Sequence, residues 1–245
     1  MPLLSWQVPG RAAARVAMSD AFFRFPQIPH IAWLGSGSAR DDKLLSPQEV
    51  AELLSDSVVV EEKLDGANLG LSVGPDKRLR AQNRGQYLVE PYGGQFQRLG
   101  EWIATNGELL SAVLGEHLIA FGEWCAARHS LDYPRLPDWW LLFDIYDRRE
   151  GRFWSTRRRD ELAARARLAI VPRLAQGRQS LYSLERLVIA QPSRYRDGPI
   201  EGLMVRREDE DWLLARGKLV RADFVQGIRA HWRSRRIQWN QVRRA

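Results

Sequence analysis

The 245-residue sequence predicts an α+β fold with antiparallel sheets flanked by helices. Three observations point there. Seven short runs rich in aliphatic and aromatic residues, each bounded by charged or turn residues, have the length and composition of strands. These runs follow one another more often than they alternate with helical segments, which argues against a doubly wound parallel sheet. With 44% hydrophobic and 10% aromatic residues, the chain can bury the core of one large domain or of one domain with a small appendage.

Residues 1–21 read as a flexible extension, alanine-rich around Arg11 and Arg15 and without the apolar core of a signal peptide. FFRFPQIPHIAWL, 22–34, is punctuated by Pro26 and Pro29 and reads as extended chain. SPQEVAELL, 46–54, reads as a helix: Ser46 can cap it, Pro47 occupies the first helical position and Glu49 the third. VVVEEKL (58–64), LGLSV (69–73), LRAQN (79–83), HLIAFGEW (117–124), WWLLFDIYD (139–147), IEGLMVRR (200–207) and WLLARGKLV (212–220) are the strands. FQRLGEWIAT (96–105), RRRDELAARARLA (157–169), SLERLVIA (183–190) and ADFVQGIRAHW (222–232) carry helical spacing. The arginines at 157–159 read as a solvated helix face, and Trp139 and Trp140 as core.

No run approaches the ~20 apolar residues of a membrane span, and the chain is expected to be cytoplasmic. A single cysteine, Cys125, and four scattered histidines give no framework for a disulfide or a structural zinc site, so Cys125 is expected to be structural. The net charge of +7 favours a polyanionic partner. Its make-up is skewed: of 37 basic residues only Lys43, Lys63, Lys77 and Lys218 are lysine. A guanidinium stays protonated, whereas an amine can lose its proton and attack an electrophile, so a lysine kept in this background marks chemistry that arginine cannot do. Lys43 and Lys77 sit beside acids and read as surface residues. Lys63 ends a strand and is followed by Asp65 and by Gly66, where the chain can turn tightly and let a ligand approach.

Four elements then occur in order: EEKLDGAN (61–68), FGEW (121–124), EGLMVR (201–206) and KLVRADF (218–224). Together with NRG at 83–85 and FDIY at 143–146, they resemble the motifs of the covalent nucleotidyltransferases, which comprise DNA ligases, RNA ligases and capping enzymes. Asn68, two residues after the motif glycine, is similar to the Glu-Lys-x-x-Gly-x-Asn pattern of the RNA ligase 2 family, where DNA ligases and capping enzymes usually carry arginine. Asp65 instead resembles DNA ligases, since many RNA ligases have histidine there.

The resemblance implies a nucleotidyltransferase (ATP-grasp-like ligase catalytic) domain over residues 22–228. It implies an ATP-dependent RNA ligase of RNA repair that seals 3′-OH and 5′-phosphate ends through a lysyl-AMP intermediate on Lys63. In that comparison Glu123 binds a ribose hydroxyl, Arg84 the sugar or a phosphate, and Phe143 stacks on adenine. Glu62 helps to fix the base, partly through its backbone, and Gly66 and Asn68 complete the nucleotide site. Glu201, with Asp65, holds Mg²⁺ or Mn²⁺, and Lys218 neutralises the α-phosphate. Val220 stands where the family has a second lysine, and Arg216 or Arg221 is the candidate substitute. Burial, Lys218 and the metal are expected to lower the Lys63 pKa, with Glu62 and Asp65 opposing them. A small DNA ligase and a catalytically inactive nucleic-acid-binding homologue are the alternative readings.

The 21 residues after Phe224 are too few for an OB domain. Residues 229–245 read as a basic tail, with six arginines interleaved with Trp232 and Trp239, suited to tracking phosphates. The expected partners are RNA, as a nicked duplex or RNA/DNA hybrid, and an end-healing kinase-phosphatase. The chain itself is expected to be a monomer.

Overall fold

Alternation along the strands organises the molecule, for which a computed structural model describes residues 21–35, 44–227 and 236–243. In one sheet β1 (Ser57–Lys63) lies between β7 (Arg173–Arg178) and β8 (Gly202–Glu208), and β9 (Leu213–Val220) pairs with β8. The other sheet runs β3 (Leu79–Gln82), β2 (Ala67–Val73), β4 (Leu118–Trp124), β5 (Trp140–Asp147) and β6 (Arg152–Phe153). All strand pairs are antiparallel, as the α+β reading expects.

Each sheet turns one apolar face to helices. Val58, Val60, Leu203, Val205 and Leu219 of the first sheet share a core with Leu53 of α1 (Pro47–Leu53) and with Leu184 and Val188 of α4 (Leu181–Ala190). Leu69, Leu71, Ala120 and Leu142 of the second meet Trp102 and Leu110 of α2 (Leu99–Leu114) and Leu162 of α3 (Thr156–Ala166). Burial of each large aliphatic or aromatic side chain is worth about 1.5–3 kcal/mol, and a one-residue slip would turn every one of them out, so these cores fix which way the other faces look. The alternate positions, Glu61, Lys63, Met204, Arg206, Arg216 and Lys218, therefore face Asn68, Glu123 and Asp144 of the opposing sheet. A cavity of about 650 Å³ opens between them.

α1 begins as its residues dictate, with Ser46 and Glu49 closing a reciprocal capping box ahead of Pro47. The extended N-terminal stretch lies along the cavity. Its Ile31 amide donates to the Lys218 carbonyl and the Lys218 amide to the Pro29 carbonyl, so it forms a single parallel bridge at the edge of β9. Phe25 packs against Phe121 and Phe143. α5 (Ala222–Gly227) follows β9 directly.

Several features depart from the sequence reading, among them the two-residue strand β6, which no run announced. β7 is an unexpected strand: RLAQGR is polar because it is an edge strand with half its surface in solvent. Arg159 is not on a solvated helix face. Its guanidinium is 1% exposed and pairs with Glu61 at 2.7 Å and Asp160 at 2.7 Å, while also donating to the Phe143 carbonyl at 2.8 Å. Arg157 alone of that triplet is exposed; Arg158 lies over the rings of Trp154 and Trp212 at 4.1 and 4.6 Å. Of the basic tail, residues 236–243 lie against residues 125–136, with Arg98 stacked over both Trp139 and Trp239; residues 229–235 and 244–245 lie outside the described residues. Cys125 is buried, and no helix among the described residues is long and apolar enough to cross a membrane.

Candidate active site

Strand register brings the distant carboxylates to the lysine. Lys63 is the last residue of β1 and pairs with Gly202, which sets Glu201, one residue before β8, beside the amine. The Lys63 ammonium donates to Glu201 Oε1 at 2.5 Å. A side chain on Gly202 is impossible here, because its Cβ would lie 2.5 Å from the Leu219 carbonyl oxygen. On the second sheet Asn68 of β2 faces Glu123 of β4 across the ladder, and the Gly66 amide donates to Glu123 Oε1 at 3.0 Å. Gly66 is needed for close approach: a Cβ would lie 2.6 Å from the Trp124 carbonyl oxygen.

Lys63, Glu62, Gly66, Asn68, Arg84, Glu123, Phe143, Glu201 and Lys218 all line the one cavity, which the sequence placed together without contact information. The N-terminal stretch adds Phe25, Ile28, His30 and Trp33, which sequence reasoning missed because nothing in an extended apolar run marks which side chains meet a ligand. Arg84 is exposed at the tip of a turn in which Asn83 Oδ1 accepts from the Gly85 and Gln86 amides. Phe143 is half-buried and meets Phe25 in an edge-to-face contact with ring centres 5.5 Å apart.

Three candidates have different surroundings from those the resemblance implied. The Glu62 side chain alternates away from Lys63 and is satisfied by the Ser193 hydroxyl at 2.6 Å and the Arg194 amide at 3.1 Å, leaving its backbone to the cavity. Asp65 Oδ2 accepts from the Ser130 and Leu131 amides, both at 2.7 Å. Arg221 is not brought to the cavity: its guanidinium binds Asp223 and the Val188 and Ile189 carbonyls at the end of α4. Only its backbone serves the site, donating to the Glu201 carbonyl at 3.0 Å. The β9 alternation puts Arg216, rather than Arg221, on the face of Lys218. There Arg216 pairs with Asp144 and lies over Phe25 and Phe153.

The electrostatics are those of a crowded, part-buried cluster. Burial acts to lower the Lys63 pKa, but Glu201, Glu123 and Asp65 outweigh it and hold the amine above its usual 10.5, contrary to the direction expected from sequence. Burial pushes Glu201 up to about 8 and Glu123 up to about 7, in each case against the pull of Lys63. Glu201 Oε2 and Asn68 Oδ1 are buried without a hydrogen-bond partner. An unsatisfied carboxylate oxygen facing a cavity suits a hard cation. No group of three or more His, Cys, Asp or Glu side chains among the described residues forms a closed metal cage, so a cation held by Glu201 would keep waters or ligand oxygens.

The RNA ligase profile matches residues 56–220. The chain belongs to the RNA ligase family. That match runs from the start of β1 to the end of β9, so it contains Lys63, Glu123, Glu201 and Lys218 of the cavity. Solved structures of the Naegleria gruberi RNA ligase share the fold. The form with PPi has a TM-score of 0.61 at 16% identity over 93% of this chain and 64% of that one. A mutant with ATP and Mn gives 0.60 at 16% over 85% and 59%, and another with AMP and Mn gives 0.56 at 19% over 74% and 54%. The chain thus spans less than two thirds of the length of these ligases. No curated protein matches it.

Proposed function

We propose that this RNA ligase family member is an ATP-dependent RNA ligase of the RNA ligase 2 type, sealing 3′-OH and 5′-phosphate ends through a covalent Lys63–AMP intermediate. The observation that carries the reading is the amine of Lys63 at a strand tip, in the cavity between the sheets, hydrogen-bonded to Glu201, close to Glu123 and sharing that cavity with Lys218. Ligation needs such a group because a 5′-phosphate cannot expel its own oxygen. After its ammonium proton passes to solvent, the amine attacks the α-phosphorus of ATP; a P–N bond forms, pyrophosphate leaves, and the nitrogen gives a second proton to solvent. The 5′-phosphate oxygen then takes the AMP and releases the lysine. The 3′-hydroxyl attacks the activated 5′-phosphorus, loses its proton and expels AMP.

In this sequence of steps Lys218 opposes the charge growing on the α-phosphate, and Arg84 binds sugar or phosphate at the mouth of the site. Glu123 accepts from a ribose hydroxyl, and Phe143, which lines the cavity, stacks on the adenine. Glu201, with its unsatisfied oxygen, is the group to hold Mg²⁺ or Mn²⁺, which when bound neutralises phosphate charge and competes with the lysine for the carboxylate. The neighbouring ligase, with ATP and Mn in one structure, supports ATP and a divalent cation as its cofactors. Asp65, whose Oδ2 accepts from the Ser130 and Leu131 amides, is the second candidate for that cation. The net charge of +7 supports RNA as the partner. The reading extends to a monomeric cytoplasmic protein working after an end-healing kinase-phosphatase.

Incubation with ATP radiolabelled at the α-phosphate, a divalent cation and denaturing electrophoresis tests it. Label should stay on the wild type and on Lys77→Asn and vanish in Lys63→Ala. Absence of label on the wild type would overturn the reading, and sealing of an all-DNA nick in preference to one with an RNA 3′-OH strand would overturn its RNA part.

A further inference from the structure

Behind the nucleophile, on the side away from the cavity, a continuous set of hydrogen bonds leads to the last described residues. The Asp65 amide, two residues from Lys63, donates to the Tyr133 hydroxyl at 2.9 Å, and Asp65 Oδ2 accepts from the Ser130 and Leu131 amides. Tyr133 is 1% exposed, and its own amide donates to Asn240 Oδ1 at 2.8 Å. The other end of that amide side chain, Nδ2, donates to the Cys125 carbonyl at 2.8 Å. Asn240 therefore ties the two ends of the stretch 125–133 together from a buried position, using both halves of its side chain.

The backbone around Asn240 repeats the attachment. Arg128 donates to Gln238 at 2.8 Å, Asn240 to Ala126 at 2.9 Å, Gln241 to Tyr133 at 3.0 Å and Arg243 to Leu136 at 2.9 Å. Val242 packs on the cluster formed by Leu64, Cys125, Tyr133 and Leu136, and Leu64 is the residue after the nucleophile. Trp239 is held through Arg98, which lies 4.8 Å from its ring centre and 4.8 Å from that of Trp139.

We infer that residues 238–243 are a strap that positions Lys63, with Asn240 and Tyr133 as its positioning residues. The Asp65–Gly66 turn has the cavity in front and residues 124–133 behind, and the strap closes the far side of those residues. A loop of this length without regular structure is a weak support by itself. Clamped by these four backbone bonds, by a fifth from the Leu136 amide to the Gln241 carbonyl at 3.0 Å, and by the buried Asn240 side-chain amide, it becomes a fixed wall against which the turn, and so the amine, is set. Displacement of a nucleophile by about 1 Å can cost on the order of 100-fold in rate, which gives the wall a catalytic consequence without any contact to substrate.

The inference rests on the assignment of Lys63 as nucleophile, and two readouts separate their failures. Single-turnover formation of the AMP adduct is measured for Asn240→Ala, Tyr133→Phe and Gln241→Ala; the exposed Gln241 side chain is the control, since its strap bonds are made by backbone. Tyr133→Phe keeps the ring and removes only the acceptor for the Asp65 amide, so it serves even where Asn240→Ala folds poorly. The expected result is a loss of at least roughly tenfold in the rate at saturating ATP for the first two, with the KM for ATP and the Tm near wild type, and no change for Gln241→Ala. Wild-type rates in both variants, or losses recovered in full on cooling below each variant's Tm, would overturn the strap. If the wild type forms no adduct the ligase reading fails, and the strap is then decided by acylation of Lys63 with an amine-directed reagent read by peptide mass spectrometry: a changed rate in both variants sustains it, and an unchanged rate ends it.

Discussion

Lys63 donates to one oxygen of Glu201 at 2.5 Å, while the other oxygen of that carboxylate is buried with no partner. The pair holds the amine charged, because Glu201, Glu123 and Asp65 together raise the Lys63 pKa against the opposing effect of burial. In the metal-free protein, acylation of Lys63 by an amine-directed reagent should therefore have a midpoint above pH 10.5, the ordinary lysine value. Glu201→Gln and Glu123→Gln should each move that midpoint down, and a midpoint that rises or stays fixed in both would contradict the electrostatic account.

Glu123 gives a stability signature. Burial raises its folded-state pKa to about 7 from 4.5. Below pH 4.5 both folded and unfolded chains hold the proton and nothing is lost. Between 4.5 and 7 the unfolded chain alone releases it, so this group works increasingly against folding, and above 7 the penalty is constant. The gain in Tm from Glu123→Gln over wild type should thus grow from pH 5 to pH 8, measured by thermal unfolding at a series of pH values. A gain that shrinks over that range would reverse the assignment.

Arg159 and Glu61, each 1% exposed and 2.7 Å apart, tie α3 to the first sheet beneath the cavity. Arg206 continues the network to Asp144 at 2.7 Å and Glu208 at 2.6 Å. Removing one member of a buried pair leaves an uncompensated charge, so Arg159→Met should cost about 3–5 kcal/mol in urea unfolding. Arg159→Met with Glu61→Gln should recover part of that loss, because the stranded charge goes too. Strict additivity of the two single variants would show that the pair is not coupled.

That network marks where the sequence stops being readable. Strand tips and their chemistry were legible because apolar runs end abruptly in charged residues, as VVVEEK does at Lys63; that Glu62 alternates away from the amine emerged only with the strand pairing. The partner of Glu61 was not, because it lies 98 residues away and an arginine-rich chain offers many equivalent cations. A glutamate inside a strand that is otherwise buried was the available signal, since such a charge requires a countercharge. The strap was hidden for the opposite reason. Among arginines and tryptophans that suggested a solvated nucleic-acid surface, Asn240 carried no periodic mark, and its value comes only from bonds to residues more than 100 positions earlier. β7 escaped because an edge strand needs no apolar face.

Arg216 and Arg221 separate by the same alternation, and the pair makes a decisive comparison. Arg216 shares the inward face of β9 with Lys218, pairs with Asp144 beside Phe143, and packs over Phe25 at 4.7 Å and Phe153 at 4.3 Å. Arg216→Ala should leave Asp144 short of a partner, costing about 1–3 kcal/mol of stability, and should slow adduct formation because the Phe143 end of β5 loses its clamp. Arg216→Lys should recover only part of the rate, since an ammonium cannot lie flat over two rings as the guanidinium does over Phe25 and Phe153. Arg221→Ala removes a cation at the C-terminal end of α4, worth about 0.3–1 kcal/mol, and keeps the backbone amide that holds the Glu201 carbonyl. Its adduct rate should stay within about twofold of wild type, a difference small on the scale of one lost transition-state contact. Equal loss of rate in Arg216→Ala and Arg221→Ala would mean that the side of β9 does not decide which arginine serves the site.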